Sequence, residues 1–264
     1  MLAELPYMPG VAELPFEAFD LVLYDVVKRR LFSTPNMPVG IQDHCIGLHA
    51  SSLVRDGGTL QIGIGAMGDA VAAALLARQG DNAGYRAVLK ALDVGPWQAL
   101  IEREGGLDTL THGLYGCSEM FVNGLLVLAE AGLLRRPADE QGAILHGGFF
   151  LGPQAFYQRL REMPLEQRAQ FAMTRISFIN ELYGDEALKR EQRRDARFIN
   201  TVFTMTLMGA GVADQLEDGR VLSGVGGQYN FVAQAHALEG GRSILLLRSW
   251  REAGGEVSSN LLWT

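Results

Sequence analysis

The stretch HGLYGCSEMFVNGLLVLAEAGLLRR, residues 112–136, decides the fold of this chain. From His112 to Ser118 its residues are small, aromatic or apolar, which is the composition of a buried strand. From Met120 to Leu134 apolar residues recur at helical spacing, and the pattern ends near Gly132 with two arginines behind it. The stretch therefore predicts a strand, then Glu119, then a helix.

Glu119 falls where the predicted strand passes into the predicted helix. In an open α/β sheet, ligands bind in the crevice beyond the carboxyl ends of the strands, so this carboxylate is a candidate for chemistry. A second interpretation stays open at this point. An acidic residue in the first turn of a helix is favoured by the helix dipole and needs no catalytic role.

The composition is that of a globular protein and argues against several other classes. Of the 264 residues, 48% are hydrophobic and 20% are charged, which excludes a disordered chain. The 32 glycines show no Gly-X-Y period, so they indicate tight loops rather than collagen. The net charge of −7, without a long basic run, argues against nucleic acid as a partner. No apolar run approaches ~18 residues, so we expect no membrane span.

The cysteine content bears on metal binding and location. Only Cys45 and Cys117 are present, in no CxxC or Cys/His spacing typical of zinc sites. We therefore expect no metal and a reducing compartment, with the cytoplasm as the default. The N-terminus carries acids and prolines where a signal peptide needs a cationic start and an apolar core.

Residues 1–40 differ from the rest of the chain. They surround one short apolar run, Phe19 to Val27, and contain five of the nine prolines: Pro6, Pro9, Pro15, Pro35 and Pro38. We interpret 1–40 as a proline-rich lead-in that packs on a domain formed by residues 41–264.

A first glycine loop follows a predicted strand, Thr59 to Ile64, and precedes a predicted helix, Asp69 to Arg78. It has the spacing GxGxxG, and its candidate binding residues are Gly63, Gly65, Ala66, Met67 and Gly68. Glycines let backbone N–H groups approach a phosphate, and the helix N-terminus adds partial positive charge. The loop predicts a phosphate-containing ligand.

An NAD-type dinucleotide fold is the first alternative for this loop. That fold needs an acidic residue at the end of a second strand, about 20 residues further on. Asp81 lies too near, and Asp93 ends a segment that has a helical pattern. The pattern therefore disfavours a nicotinamide cofactor, while a nucleotide-containing ligand stays favoured.

Three further segments complete the predicted sheet. Ala143 to Gly152 is a short apolar strand and turn, in which we interpret His146 as a core histidine. Phe198 to Met208 is rich in β-branched residues and predicts one buried strand that contains Asn200. Val221 to Phe231 is a second glycine loop before a helix. Together with the Glu119 turn, the two glycine loops predict an α/β protein whose loops converge on one crevice.

Four segments in combination resemble the acetyl-CoA hydrolase/transferase family, which includes 4-hydroxybutyrate and acetate CoA-transferases. They are GIGAMGDAV (63–71), GCSEMFVNGLLVLAEAG (116–132), FINTVFTMTLMG (198–209) and SGVGGQYNFVAQAHALEGGRSILLL (223–247). The resemblance spans residues 41–262 and corresponds to most of the family's C-terminal, catalytic half. It implies an open, mostly parallel sheet flanked by helices, the CoA-transferase fold similar to the ribose-5-phosphate isomerase type, here incomplete.

The resemblance also implies roles for the candidate residues. Glu119 matches the glutamate that forms a glutamyl-CoA thioester, and Asn200 matches an asparagine that faces the same oxygen. The second loop is expected to supply oxyanion donors and to hold the acyl-CoA, through Gly224, Gly226, Gly227 and Gln228. The first loop corresponds to a CoA-binding loop. Coenzyme A is then a substrate, exchanged among small carboxylic acids, and no metal takes part.

Some features depart from the family or leave the function open. Asn230 stands where many relatives have an aspartate, and the apolar segment from Asn260 to Thr264 has the pattern of an unfinished strand. A truncated catalytic domain, half of a split enzyme and a non-catalytic binding module all fit that pattern. Exposed strand edges would favour a homo-oligomer or association within a larger chain.

Transfer and hydrolysis use the same intermediate, and no motif separates them. The resemblance favours transfer, with water excluded by an apolar cover. The residues expected to form this cover are Phe149, Phe150 and Tyr229, and for Phe149 and Phe150 a place in the aromatic core is an equal alternative.

Overall fold

The computed structural model describes residues 4–23, 31–34, 37–216 and 218–263. Its helices are α1 Ile41–Ser52, α2 Ala66–Gly80, α3 Asn82–Ala91, α4 Gln98–Glu104, α5 Asn123–Glu130, α6 Gln154–Glu162, α7 Leu165–Arg168, α8 Ile176–Asn180, α9 Glu186–Gln192 and α10 Gln228–Ala237. Its strands are β1 Thr59–Ile62, β2 Tyr115–Phe121, β3 Leu145–Phe150, β4 Phe171–Met173, β5 Arg197–Thr201, β6 Thr204–Thr206, β7 Gly211–Val212, β8 Arg242–Leu246, β9 Trp250–Ala253, β10 Glu256–Ser259 and β11 Leu261–Leu262.

The main sheet has six strands in the order β4-β3-β2-β1-β5-β8. Every neighbouring pair is parallel, so the carboxyl ends of all six strands lie along one edge. The chain proceeds outward from β1 through β4 and then returns to the other side of β1 with β5. Such a reversal opens a crevice between the two central strands. The predicted open, mostly parallel α/β sheet is confirmed.

Helices cover both faces of this sheet because side chains alternate along each strand. Leu60, Ile62 and Ile199 face the main core, which includes residues of α2 and α5. Tyr115, Cys117 and Phe198 face a second core formed with α8 and α10. By the same alternation, Glu119 and Asn200 belong to the face covered by α8 and α10.

Helices α1 and α2 pack very closely at a glycine. A Cβ at Gly47 would overlap the backbone carbonyl of Ala70, so only a glycine permits this approach. On α2, Ala72 instead lies near Gly124 of α5, 3.3 Å from its Cβ position. Because α2 begins directly after the turn that follows β1, its N-terminus lies at the carboxyl edge of the sheet.

The structure corrects two predicted boundaries around the first glycine loop. Strand β1 ends at Ile62, and its four residues are all buried rather than alternating. This is the pattern of a central parallel strand that is covered on both faces. Helix α2 begins at Ala66, three residues before the predicted start, so Ala66, Met67 and Gly68 form its first turn.

Two other predicted elements also differ from the structure. Strand β2 continues two residues beyond Glu119 because Met120 and Phe121 pair with β3, and α5 is correspondingly shorter than the predicted helix. The segment predicted as one strand from Phe198 to Met208 forms two strands. β5 belongs to the main sheet, whereas β6 pairs with β7 and β11 in a separate three-stranded sheet.

The described part of the lead-in lies against α6 and the main core. Met8 and Leu31 are buried there. The hydroxyl of Tyr157 donates a 2.8 Å hydrogen bond to the carbonyl of Phe32. The division into 1–40 and 41–264 stays a prediction, and Pro35 and the end of the predicted apolar run, residues 24–27, lie outside the described residues.

Candidate active site

Glu119 lies on β2, near the carboxyl edge of the sheet, and is partly exposed. Its Oε2 accepts a 2.5 Å hydrogen bond from Nδ2 of Asn180, the last residue of α8. A hydrogen bond that involves an ionised group is shorter and stronger than a neutral one. The bond therefore fixes where this carboxylate oxygen points.

Gly227 lies against the same carboxylate oxygen. A Cβ at this position would overlap Glu119 Oε2 and would also crowd Nδ2 of Asn180 at 3.1 Å. Gly227 is the N-cap of α10, which begins at Gln228. The first N–H groups of a helix have no partner within the helix and carry partial positive charge. One oxygen of the carboxylate thus lies beside both a side-chain amide and the start of a helix.

Strand β3 brings α8 close to Glu119. A Cβ at Gly148 would meet the side chain of Ile176, the first residue of α8, at 2.9 Å and the backbone oxygen of Glu119 at 3.0 Å. A larger residue there would lift α8 away from the sheet. The absence of a side chain at Gly148 therefore lets α8 present Asn180 to the carboxylate.

Asn200, the second predicted catalytic residue, makes a different contact. Its amide forms two 3.1 Å hydrogen bonds with the amide of Gln61 on the neighbouring strand, one in each direction. Both side chains are buried. The pair lies beside Gly63, whose Cβ position is 3.8 Å from Oδ1 of Asn200. The predicted role of Asn200 at the oxyanion stays a prediction.

The first glycine loop needs its glycines for its own geometry. Gly65 has a φ of 111°, and a Cβ at Gly68 would overlap the backbone oxygen of Gly63. The glycine spacing is therefore what a tight turn from β1 into α2 requires. The turn leaves the N-terminus of α2 at the same edge as Glu119, which is the arrangement that binds anions in other proteins.

A crevice of about 820 Å³ opens between the ends of β5 and β8 and the N-terminal turns of α1 and α2. Met67 from the first loop and Leu222, just before the second, both line it. Its lining is mostly apolar, with Arg248 and Arg251 among the polar residues. A mostly apolar crevice with a few polar groups is typical of small-molecule sites.

The aromatic cover predicted over the site is not closed in this structure. Tyr229 is 74% exposed in the first turn of α10, and Phe149 is 37% exposed. Phe150 instead packs on Tyr157 and the main core, with ring centroids 6.2 Å apart. Residues 221–226, which precede Gly227, are also exposed.

His146 is the buried core histidine that the sequence predicted. Its Nδ1 is 2.8 Å from the hydroxyl of Tyr115, and its Nε2 is 3.5 Å from Asp139. Burial lowers the pKa of His146. The imidazole is thus held in a hydrogen-bonded core position.

Sequence reasoning missed Asn180. It lies within residues 164–194, which contain none of the predicted site residues. The only local signal was a short apolar run with an asparagine at its end, ISFIN. Its functional contact is with a residue 61 positions away, which no local pattern encodes.

Neither a metal-binding cluster nor a membrane-spanning helix occurs in the described part of the chain. In residues 4–23, 31–34, 37–216 and 218–263, no group of three or more His, Cys, Asp or Glu side chains could hold a metal ion. Within the same ranges, every helix is too short or too polar to cross a bilayer.

Comparison with known proteins identifies relatives. Residues 152–264 match the acetyl-CoA hydrolase/transferase C-terminal domain. Over 216 residues the chain is 24% identical to 4-hydroxybutyrate coenzyme A transferase of Clostridium kluyveri, covering 80% of this chain and 39% of the relative. The chain therefore spans about two fifths of the length of that relative.

Solved structures share the fold. RipA from Yersinia pestis superimposes with a TM-score of 0.61 at 22% identity, covering 90% of this chain and 43% of RipA. The 4-hydroxybutyrate CoA-transferase from Porphyromonas gingivalis gives a TM-score of 0.58 at 20% identity, covering 89% of this chain and 45% of that one. The match to a CoA-transferase confirms the predicted fold.

These matches also decide between the interpretations of the first glycine loop. The NAD-type alternative is not favoured, since the family and the relatives handle coenzyme A. The match of residues 152–264 to the acetyl-CoA hydrolase/transferase C-terminal domain thus confirms the resemblance found in the sequence.

Proposed function

We propose that this chain carries the catalytic glutamate of an acyl-CoA:carboxylate CoA-transferase or acyl-CoA hydrolase, and that Glu119 forms a glutamyl-CoA thioester. One observation carries the proposal. The carboxylate of Glu119 lies at the carboxyl edge of the sheet, hydrogen-bonded to Asn180 and directly against the backbone of Gly227. A nucleophile and oxyanion donors are what acyl transfer requires.

The first half-reaction loads Glu119 with CoA. The Glu119 carboxylate attacks the acyl-CoA carbonyl, a C–O bond forms, and the C–S bond breaks to give a mixed anhydride and the CoA thiolate. The thiolate then attacks the glutamyl carbonyl, which gives the glutamyl-CoA thioester and releases the acyl group as its carboxylate. The N–H groups that begin α10, next to Gly227, are the candidate donors to the oxyanion in each addition.

The second half-reaction unloads the glutamate. An acceptor carboxylate attacks the glutamyl-CoA carbonyl, CoA leaves as the thiolate, and the thiolate attacks the acceptor acyl carbonyl. The products are a new acyl-CoA and the free Glu119 carboxylate. If water attacks instead, the products are free CoA and the same carboxylate, and the reaction is hydrolysis.

Within this proposal, transfer is favoured over hydrolysis. An accessible thioester that admitted water would lose its CoA, so exclusion of water favours transfer. The exposed loop at 221–226 and the half-exposed Phe149 are the parts that would have to close over the thioester. The relatives named as 4-hydroxybutyrate CoA-transferases support small carboxylic acids as partners.

In this proposal, coenzyme A binds at the same edge. The N-terminus of α2, formed by Gly63 to Gly68, suits a phosphate, and the adjoining crevice suits an apolar arm. A homo-oligomer or a larger chain as the functional unit, and a cytoplasmic location, remain predictions from the sequence.

Mass spectrometry tests the intermediate. The protein, in its full-length context, is incubated with acetyl-CoA and then trapped with borohydride or hydroxylamine. The expected result is a modification on the peptide that holds Glu119, absent from Glu119→Gln and Glu119→Asp variants, because removal or shortening of the nucleophile prevents attack. Modification elsewhere, or none, would overturn the proposal.

A second experiment separates transfer from hydrolysis. Acetate is added with an acyl-CoA other than acetyl-CoA, and the thioester is followed over time. We expect acetate to accelerate loss of the starting thioester and to yield acetyl-CoA. Equal rates of CoA release with and without acetate would identify a hydrolase.

A further inference from the structure

Two buried cations surround the end of α8, the helix that presents Asn180. Arg193 is 0% exposed and Lys189 is 1% exposed. The Arg193 guanidinium donates to the carbonyls of Phe178, Ile179 and Glu181. Lys189 Nζ donates to the carbonyls of Glu181 at 2.9 Å and Tyr183 at 2.8 Å. Hydrogen bonds from these two buried cations therefore fix the backbone on both sides of Asn180.

These cations bind dipoles rather than carboxylates. Within the part of the chain that the structure describes, no Asp or Glu side chain forms an ion pair with either of them. Burial lowers the pKa of Lys189. The carbonyls at a helix C-terminus carry partial negative charge, and cations there are stabilising. The pair thus takes the place of a C-terminal cap for α8.

Arg193 also connects α8 with α10. It donates to Oε1 of Gln234 on α10, and Nε2 of Gln234 donates a 3.1 Å hydrogen bond to the carbonyl of Ile179 on α8. Ile179 is adjacent to Asn180, and α10 begins just after Gly227. One buried network therefore joins the two elements that approach Oε2 of Glu119.

We propose that Arg193, together with Gln234, is a positioning residue for Glu119. None of its hydrogen bonds among the described residues reaches Glu119, and it acts by fixing Asn180 and Gly227 relative to each other. This inference rests on the proposed function for what Glu119 does. The distance between the side chains of Asn180 and Glu119 can be measured without any substrate, so this part of the inference can be tested separately.

The test compares Arg193→Lys with a matched control, Arg78→Lys. Arg78 is 2% exposed, and its hydrogen bonds among the described residues go to carbonyls, those of Ser51, Val54 and Asp108, in the helical layer on the other face of the sheet. A lysine at 193 keeps the charge, but a single ammonium group cannot span the carbonyls and Gln234 as the guanidinium fork does.

Two readouts are followed in the full chain. Crystal structures give the separation between Asn180 Nδ2 and Glu119 Oε2, which is expected to widen beyond hydrogen-bond distance in Arg193→Lys. Trapping gives the rate of glutamyl-CoA formation from acetyl-CoA, which we expect to fall on the order of 10²-fold, because small misplacements of reacting groups cost that much. KM is expected to change little, and Arg78→Lys to leave both readouts at the wild-type values.

The outcomes are distinct. An unchanged separation, or an unchanged rate of trapping, in Arg193→Lys overturns the positioning role. If the wild type forms no adduct, the proposed function fails, while the measured separation still decides whether Arg193 positions Asn180. If Arg193→Lys does not fold, Gln234→Met is tested in its place. This variant keeps Arg193 and Lys189 and removes only the side-chain amide that links α8 and α10. A wild-type separation in Gln234→Met would then overturn the inference.

Discussion

The side-chain amide of Asn180 donates a 2.5 Å hydrogen bond to Oε2 of Glu119, across 61 positions of sequence. Oδ1 of Asn180 is buried, and no group among the described residues donates a hydrogen bond to it. The amide therefore makes its one side-chain hydrogen bond to the proposed nucleophile. This relationship makes Asn180 part of the candidate site, although it was not predicted from the sequence.

Replacing Asn180 with alanine is expected to slow glutamyl-CoA formation roughly tenfold to a hundredfold. The reason is that a hydrogen bond to a charged group contributes about 1.5–3 kcal/mol. Asn180→Asp should be slower still near neutral pH, since it places a second carboxylate beside Glu119. The rate of trapping and the melting temperature are measured together. A wild-type rate in Asn180→Ala would remove this residue from the mechanism.

Gly227→Ala is expected to abolish trapping at Glu119 with a smaller effect on folding. The new methyl group would overlap Oε2 of Glu119 and displace the carboxylate. The matched control is Gly80→Ala at the end of α2, outside the candidate site, where nothing lies within 4 Å of the Cβ position. The two variants are compared by mass spectrometry after incubation with acetyl-CoA. Equal trapping in both would contradict the close approach of α10 to Glu119.

The Asn200 and Gln61 pair predicts a coupled effect on stability. Asn200→Leu alone leaves a buried amide without its partner, which costs about 1–3 kcal/mol, whereas the double variant with Gln61→Leu removes both polar groups. We expect a coupling energy of roughly 0.5–3 kcal/mol in a double-mutant cycle of denaturant unfolding.

The same double variant tests the predicted catalytic role of Asn200. The double variant is expected to fold. Because it lacks the amide that would face the oxyanion, we expect it to form the glutamyl-CoA adduct slowly. Adduct formation at the wild-type rate in a folded double variant would leave Asn200 with a structural role only.

Asp56 predicts an acid-dependent loss of stability. Burial by itself raises the pKa of Asp56, but hydrogen bonds from the backbone amide of His112 and the side chain of Thr111 outweigh burial and hold that pKa well below its usual range. A carboxyl whose pKa is lower in the folded state stabilises the fold above its unfolded pKa, about 3.9, and this contribution is lost as the pH falls below that value.

The corresponding variant is Asp56→Asn. It is expected to lose roughly 1.5–3 kcal/mol of unfolding free energy at pH 7, the contribution of hydrogen bonds to a charged group. Its stability should also change less than that of the wild type between pH 5 and lower pH. The measurement is denaturant unfolding as a function of pH. Parallel pH profiles for the two proteins would show that Asp56 is not the responsible group.

Several features of the site follow from local sequence. The strand that carries Glu119, the glycine turn before α2 and the glycine turn before α10 were all predicted because each depends on residues near one another in the chain. The family was recognised from the same segments, and the parallel sheet followed from alternating strands and helices. The predicted ends of helices and strands were less accurate. Strand β2, for example, continues beyond Glu119 because it pairs with β3 there.

The sequence by itself thus determined the sheet, the two glycine turns and the candidate nucleophile, because hydrophobic periodicity and backbone requirements act over a few residues. Only the tertiary structure decided which groups contact that nucleophile. Asn180 reaches Glu119 because α8 packs where Gly148 has no side chain, and Gly227 reaches it because α10 is tied to α8 through Arg193 and Gln234. Such contacts arise from packing between distant elements, and no local pattern specifies them.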